Sequence, residues 1–264
     1  MENFDINNLV IDHVNKVYMT RPDGAVAFVL PQITDLKLNI ETDDATKNDA
    51  LGTPIATFKR GKKLEMSGES ALFDMNLYAA QQGATKNVAS AENKIVVPVY
   101  ETVTAGGEAV KLAHKPISAP KYAYKALTDD TLGAQLKLGT VASADTFTYD
   151  EKANTVTFDA SVKGDYVLVY EFESDKGADI TIDGKHFGIK GKAYADVLAT
   201  SVCDTTLLTH ALIELPSAQL DSNAEIGFST DSNHPFKITA NIAYCDKKKT
   251  LARVIVLNED DDED

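Results

Sequence analysis

Ile55–Gly83, IATFKRGKKLEMSGESALFDMNLYAAQQG, reads as a strand followed by a short helix, and both need partners. Phe58, Leu64 and Met66 are its apolar strand positions. Lys59, Arg60, Lys62 and Lys63 form a basic edge around Gly61, where a bulge or bend is expected. Ser67 and Gly68 are expected to interrupt the strand, and Ser67 or Ser70 to accept from the free N–H groups of the helix. Glu69 and Asp74 then fall early in that helix, the favourable place for negative charge. Leu72, Met75 and Ala79 recur at helical spacing, flanked by Ala71 and Tyr78. Gly83 stands where a left-handed residue ends a helix. A helix this short is marginal alone, so it must dock on a sheet.

The residues upstream supply strands. Val14–Thr20 and Ala25–Leu30 are β-rich runs around Arg21-Pro22-Asp23-Gly24, in which Pro22 fixes one φ and Gly24 frees another, so they read as a hairpin. Beyond Pro31, Leu36, Leu38 and Ile40 alternate with Lys37, Asn39 and Glu41, the period of a strand with one wet face. Glu41–Pro54, ETDDATKNDALGTP, has almost nothing to bury. It reads as a long polar loop, disordered in a lone monomer or ordered against a neighbouring copy.

Downstream, a polar linker (Ala84–Asn93) leads to a strand at Ile95–Val103 with an edge-tolerated Pro98. From Gly106 the texture changes to short runs between turn signals: Ala109–His114, Lys121–Ala126, Asp145–Tyr149, Thr155–Ala160 and Tyr166–Glu173. That spacing suggests a small all-β sandwich, read as an Ig-like insertion at 106–173 within a discontinuous domain of 1–105 and 174–264. In the closing part, Ile180–Ile182 meets an Asp183-Gly184 turn, and Lys185–Ile189 is a further strand candidate. Ala193–Val202 is ambiguous between helix and strand, Leu207–Leu215 closes at Pro216, and Ile226–Thr230 is short. Phe236–Tyr244 alternates cleanly, and Leu251–Leu257 follows an Asp246–Lys249 turn. The fold class is therefore mainly β with one flanking short helix.

The chain holds 264 residues with a formal net charge of −14. Backbone affinity for nucleic acid rests on lysine and arginine displacing counterions, so this balance argues against a tight binder. Glu259–Asp264 reads as a solvated acidic tail or a docking tail for a basic partner. No apolar run is long enough to span a membrane, and the first residues do not read as an export signal. Cys203 and Cys245 are expected as buried free thiols.

Chemistry is hard to find. His13, His114, His186, His210 and His234 are scattered without ligand spacing. No Walker loop occurs, and Gly188 with Gly191 falls short of a dinucleotide fingerprint. Asp221, Asn223 and Glu225 resemble the start of a calcium loop, but Ile226 stands where that loop needs glycine. No catalytic residue, metal or cofactor is expected. Tyr122 and Tyr124 read as packed strand residues rather than a sugar platform. The cluster Lys59, Arg60, Lys62, Lys63 reads as a solvated edge against aggregation, or as a contact with an acidic neighbour such as Asp43 and Asp44 of another copy. Nucleic-acid binding is the weaker reading, because no aromatics interleave.

The order of these parts resembles the tail tube (major tail) proteins of tailed bacteriophages. The resemblance is carried by the N-terminal hairpin, ITDLKLNIE, the polar TDDATKNDALGTP, KKLEMSGESALFDMNLYAAQQG, IVVPVYETV, and the closing IELPSAQL, KITANIAY and TLARVIVL. It implies a β-sandwich or barrel with a flanking helix, commonly with Ig-like insertions or additions, assembled as stacked homo-oligomeric (hexameric) rings. Such a protein belongs to the virion tail, is assembled in the host cytoplasm, and passes DNA in transit through a negatively charged channel. Sheath, tape-measure, baseplate or terminator proteins would be its neighbours. Inter-subunit and inter-ring contacts are then expected at Asp43, Asp44, Lys47, Asn48, Asp49, Leu51, Lys59, Arg60, Lys62 and Lys63. Other virion roles, such as capsid decoration, tail terminator or baseplate hub, and a glycan- or surface-binding module are the alternatives.

Overall fold

The computed structural model describes residues 9–128, 131–202, 208–224, 227, 229–230, 232–241 and 249–257. Both cysteines, the acidic tail, Glu225, Ile226 and the 242–248 segment lie outside the described residues. In chain order the elements are β1 (Leu9–Thr20), β2 (Val26–Leu30), β3 (Ile33–Asn48), β4 (Pro54–Ser70), α1 (Met75–Gln82), β5 (Lys86–Val88), β6 (Ile95–Ala105), β7 (Ala109–Lys111), β8 (Tyr122–Ala126), β9 (Leu132–Leu138), β10 (Thr146–Asp150), β11 (Thr155–Thr157), β12 (Gly164–Ser174), β13 (Ala178–Ile180), β14 (Lys190–Ser201), β15 (Leu208–Leu220), β16 (His234–Ala240) and β17 (Arg253–Leu257). The fold is mainly β with a single short helix among the described residues. Two compact units divide it, 1–86 with 180–264, and 87–179.

The first unit is built on an eight-stranded sheet ordered β2-β1-β14-β15-β16-β4-β3, with β17 also on β15. Strand β15 pairs with β14 on one side and is shared by two strands on the other: 210–214 pair with β17 and 218–220 with β16. Pro216 does not end this strand, as its sequence suggests, because it falls where the register against β14 shifts between Leu215 and Ala218. A missing N–H is tolerated at such an irregularity. Alternation puts Val17, Met19, Leu64, Met66, Ala193, Ala195, Leu215, Phe236 and Ile238 into one buried cluster. The ambiguous 193–202 run is thereby a strand, its small alanines packed on the sheet's inner side.

Helix α1 supplies Leu77 and Ala80 to that cluster. Its N-cap is Asp74, whose Oδ1 accepts from the Leu77 N–H at 2.7 Å; neither Ser67 nor Ser70 caps it. The reason is tertiary: β4 does not break at Ser67-Gly68 but continues to Ser70, paired with β16 on one side and β3 on the other. Gly68 is needed there because an added Cβ would stand 2.5 Å from the Asp35 carbonyl and 2.8 Å from the Phe236 ring. The helix face also differs from the one the spacing suggests, with Leu77, Ala79, Ala80 and Gln81 buried and Leu72 exposed. Gln81 Nε2 donates to the Pro235 carbonyl at 3.1 Å and Gln82 Nε2 to the Ser222 carbonyl at 3.1 Å. Gly83, at φ +62°, ends the helix, and Ala84 N–H donates to the Ala79 carbonyl.

The second unit is a seven-stranded sheet ordered β6-β12-β8-β9-β10-β11-β7, in which β9 and β10 run parallel. Strand β6, placed by its sequence in the first domain, pairs with β12 from Ile95↔Ser174 to Ala105↔Gly164. That ladder makes it part of the 87–179 unit. Phe147, Phe158, Leu112, Leu136 and Leu168 fill the interior. The Glu101 carboxylate accepts from Tyr170 Oη and from the Ala113 N–H. Burial, then that hydrogen bond, pushes the Tyr170 phenol up to about 12, so it remains a donor at neutral pH. Asn154 takes a positive φ of 54°, and its Nδ2 donates to the Leu112 and His114 carbonyls. A two-stranded ribbon of β5 and β13 is tied by Asn87 Nδ2 donating to Asp179 Oδ1 at 3.0 Å.

Gly83→Ala is expected to destabilise the protein by about 2 kcal/mol, from left-handed strain and from a Cβ forced against the backbone. That Cβ would lie 2.3 Å from the Phe187 carbonyl. A urea midpoint within error of wild type would contradict this account.

Candidate assembly surface

Strands β3 and β4 pair from Ile33↔Ser70 to Asn48↔Pro54. Near the root of this hairpin Leu64 and Met66 are buried and Leu36 and Leu38 pack against the core. Further out the hairpin leaves the core: from Glu41 to Arg60 every side chain is exposed except Ala45 and Ala56, which are half-buried. The 41–54 segment is therefore not a long loop. It is the outer part of one strand, a tight turn and the start of the next, and Glu41–Asn48 obtain their order from main-chain pairing rather than burial. The turn is closed by Asp49, whose Oδ1 accepts from the Leu51 and Thr53 N–H groups at 2.9 and 2.8 Å, and by Gly52 at φ +85°.

All the residues singled out for assembly lie on this arm. Asp43, Asp44, Lys47 and Asn48 are on β3, Asp49 and Leu51 in the turn, and Lys59, Arg60, Lys62 and Lys63 on β4. A register shift falls opposite Arg60, between Gly61 and Lys59, where the sequence suggests a bulge. Lys59 is paired with Asp44 of its own chain, Nζ to carboxylate 2.7 Å, so acid and base stand at opposing positions of the two strands. Thr46 and Thr57 hydroxyls add a cross-strand contact at 3.3 Å. Lys47, Arg60, Lys62 and Lys63 have no carboxylate within 4.0 Å among the described residues.

The sequence singles out Phe58 as an apolar strand position alongside Leu64 and Met66, but not Ile55. Both are exposed, with Leu51 beside them at 91% of its surface. The signal was there in part, as these apolar side chains sit in a stretch whose other residues are mostly polar, with only the small Ala45 opposite Phe58.

Strand β3 forms one edge of the eight-stranded sheet and β2 the other. Exposed Val26 and Val29 lie on the β2 edge. Unpaired sheet edges are templates for adding another strand.

The solvent face of the sheet is polar. Alternate β3 and β4 residues place Asp35, Glu41 and Asp43 with Glu65 and Glu69 there, against Lys37, Lys63 and Lys237. Lys237 Nζ bonds Glu65 at 2.9 Å. On the same face Tyr18 and Tyr194 stack at 4.8 Å. Asp196, whose side chain is only 8% exposed, accepts from Asn15 Nδ2 at 2.7 Å, contacts His210 Nδ1 at 2.7 Å and has Lys16 Nζ at 3.9 Å. Burial pushes its carboxyl up, but the hydrogen bonds from His210 and Asn15 and the charges of His210 and Lys16 outweigh that and hold it below the usual range.

Asp221 Oδ1 accepts from the Asn223 N–H at 3.0 Å, an Asx turn; Glu225 of the calcium-loop comparison lies outside the described residues. Among the described residues no three His, Cys, Asp or Glu side chains gather for a metal ion, and no helix is long and apolar enough to cross a membrane.

An exposed arm on an open sheet suits assembly, and a family model agrees: the model of the YomU/Tube protein family matches residues 9–255. The chain belongs to the YomU/Tube protein family. No curated protein matches it. The match covers residues of both compact units.

The Asp196 cluster makes a pH-dependent contribution to stability. A carboxyl lowered on folding stabilises above its unfolded value of about 3.9, and the gain disappears as pH falls through the lower folded value. Urea midpoints for Asp196→Asn are expected to lie below wild type at pH 7 and to converge with it towards pH 3. A constant gap across that range would show that Asp196 contributes through packing alone.

Proposed function

We propose that this chain is the structural subunit of a phage tail tube, self-assembling into stacked rings around a channel for DNA. The observation that supports it most is the arm: a long hairpin, exposed on both sides, at the edge of an open sheet in a chain of the tube family. Exposed apolar residues and free edges are costly in a lone molecule and useful in a repeating one. Hexameric rings would join β2 of one copy to the β3 edge of the next. The arm, through Asp43, Asp44, Lys47, Asn48, Asp49, Leu51, Lys59, Arg60, Lys62 and Lys63, would reach towards a neighbouring ring.

The polar face of the sheet would then line the channel. Its excess of carboxylates and the net charge of −14 repel phosphate, so DNA would slide without being gripped. The role is structural, in the virion tail and assembled in the host cytoplasm, with sheath, tape-measure and baseplate or terminator proteins as neighbours. The 87–179 unit is the proposed Ig-like insertion. A second reading, in which this unit holds a surface ligand, is favoured by Tyr100, Val169 and Tyr122, all exposed on strands of one sheet.

Replacing Asp43–Gly61 by a two-residue Asn-Gly turn is expected to leave the monomer folded by circular dichroism and to abolish tubes in negative-stain microscopy. Tubes of normal length from that variant would end the reading. Lys59→Glu, Arg60→Glu and Lys63→Glu together should weaken assembly most at low salt, where charge contacts are least screened. Assembly as efficient as wild type in low-salt buffer would remove the charge contribution.

A further inference from the structure

The two ends of the β3–β4 hairpin are chemically matched to each other. At the tip, Leu51, Ile55 and Phe58 are 91%, 64% and 52% exposed. Lys47, Arg60 and Lys62 lie behind them with no carboxylate within 4.0 Å among the described residues. At the root, the segment after β4 exposes Leu72 and Phe73 by 56% and 49%. Phe73 stands edge-on to His234 at 5.2 Å and lies 6.5 Å from Tyr78. Phe73 and His234, with Tyr78, Leu77, Gln81 and Pro235, line a narrow crevice, and Leu72 stands outside it. Among the described residues His234 Nδ1 is buried there without a hydrogen-bond partner, a costly arrangement for a polar atom. Next to the crevice, and sharing Pro235, a groove of about 240 Å³ is lined by Asp35, Glu69, Lys37 and Lys237. Its lysines are already held, Lys37 by Asp35 and Lys237 by Glu65. Glu69 at the groove and Asp74 at the crevice leave the root acidic.

Tip and root cannot meet in one molecule. Sixteen residues of β3 at about 3.3 Å each separate them by roughly 50 Å. Their complementarity must therefore be satisfied between copies. A contact between different patches of identical chains is heterologous and repeats head to tail, closing into a ring or running on as a filament according to the rotation between copies.

We propose that the exposed surface of Leu72 and Phe73 beside α1 is where the arm tip of a second copy of this chain docks. Leu51 and Ile55 seat against Leu72 and Phe73, while Lys47, Arg60 and Lys62 run along the acidic side of the root. The inference rests on the assembly reading above and specifies where the arm lands. It makes the helix a docking element as well as a cover for the core.

Two measurements test it. Leu72→Glu changes an exposed side chain, so the monomer's melting temperature should hold while the concentration needed for assembly rises about tenfold or more. In a Cys203→Ser, Cys245→Ser background, Leu51→Cys combined with Leu72→Cys should give, on mild oxidation, a ladder of covalent multimers; each single variant should stop at dimers. Tubes that need the arm but form normally with Leu72→Glu, with no ladder from the paired cysteines, would overturn this docking site and leave the assembly reading standing. Tubes that form without the arm would overturn both.

Discussion

The structure depends on an unequal division of hydrogen bonding and burial along one hairpin. Near its root the β3–β4 ladder has apolar side chains packed on a core; towards its tip the same ladder continues without one. A two-stranded ribbon with both faces wet is marginal on its own. Here it persists because the register is set at the root, where Met66 and Leu64 are fixed in the core, and is kept by the Asp49 turn and the Asp44–Lys59 pair. The exposed pair itself contributes little. The arm is thus an extension of a well-specified sheet, cheap to hold in shape and costly to leave unpartnered.

The rest of the first unit secures that root. Gly68 lets β4 pass close to Asp35 and Phe236, and α1 is fastened by its Asp74 cap and by side-chain amides reaching Pro235 and Ser222. These contacts sit where the arm leaves the body, so force applied to the arm is borne by packed side chains and backbone hydrogen bonds. The second unit keeps its own interior and its own polar ties at Glu101 and Asn154. Each of the two compact units thus holds a core of its own.

Much of this was legible in the chain. Leu36 and Leu38, or Phe236 and Ile238, alternate with polar residues, and that period is a direct record of one packed face; it runs on to Ile40, which is exposed because the core ends there. The same logic fails for Glu41–Asn48, because a strand wet on both faces leaves no period to read. The helix was legible at Gly83 but not at its start: Ser67, Ser70 and Asp74 are all competent caps, and pairing of β4 with β16 decides among them. Strand β9 was missed since Leu136 is its only fully buried side chain. The run at Ile95 was recognised as a strand, yet nothing local to it says that β12 is its partner. Local patterns report burial; they do not report which distant strand supplies it.

Charge separates the two surfaces by task. On the solvent face of the sheet Lys37 is engaged with Asp35 and Lys237 with Glu65, and Asp35, Glu41, Asp43, Glu65 and Glu69 outnumber Lys37, Lys63 and Lys237, which leaves the surplus there negative. The arm carries cations without local partners. An acidic chain with a cluster of cations without ion pairs on a protruding hairpin has the charge distribution that the proposed assembly needs, attractive at the arm and repulsive to polyanions at the sheet. These are not competing uses of the same residues, because screening confines each effect to about 10 Å at ordinary ionic strength. A protein of such negative net charge can therefore self-associate by a locally basic arm and still present phosphate with a surface to which it does not adhere.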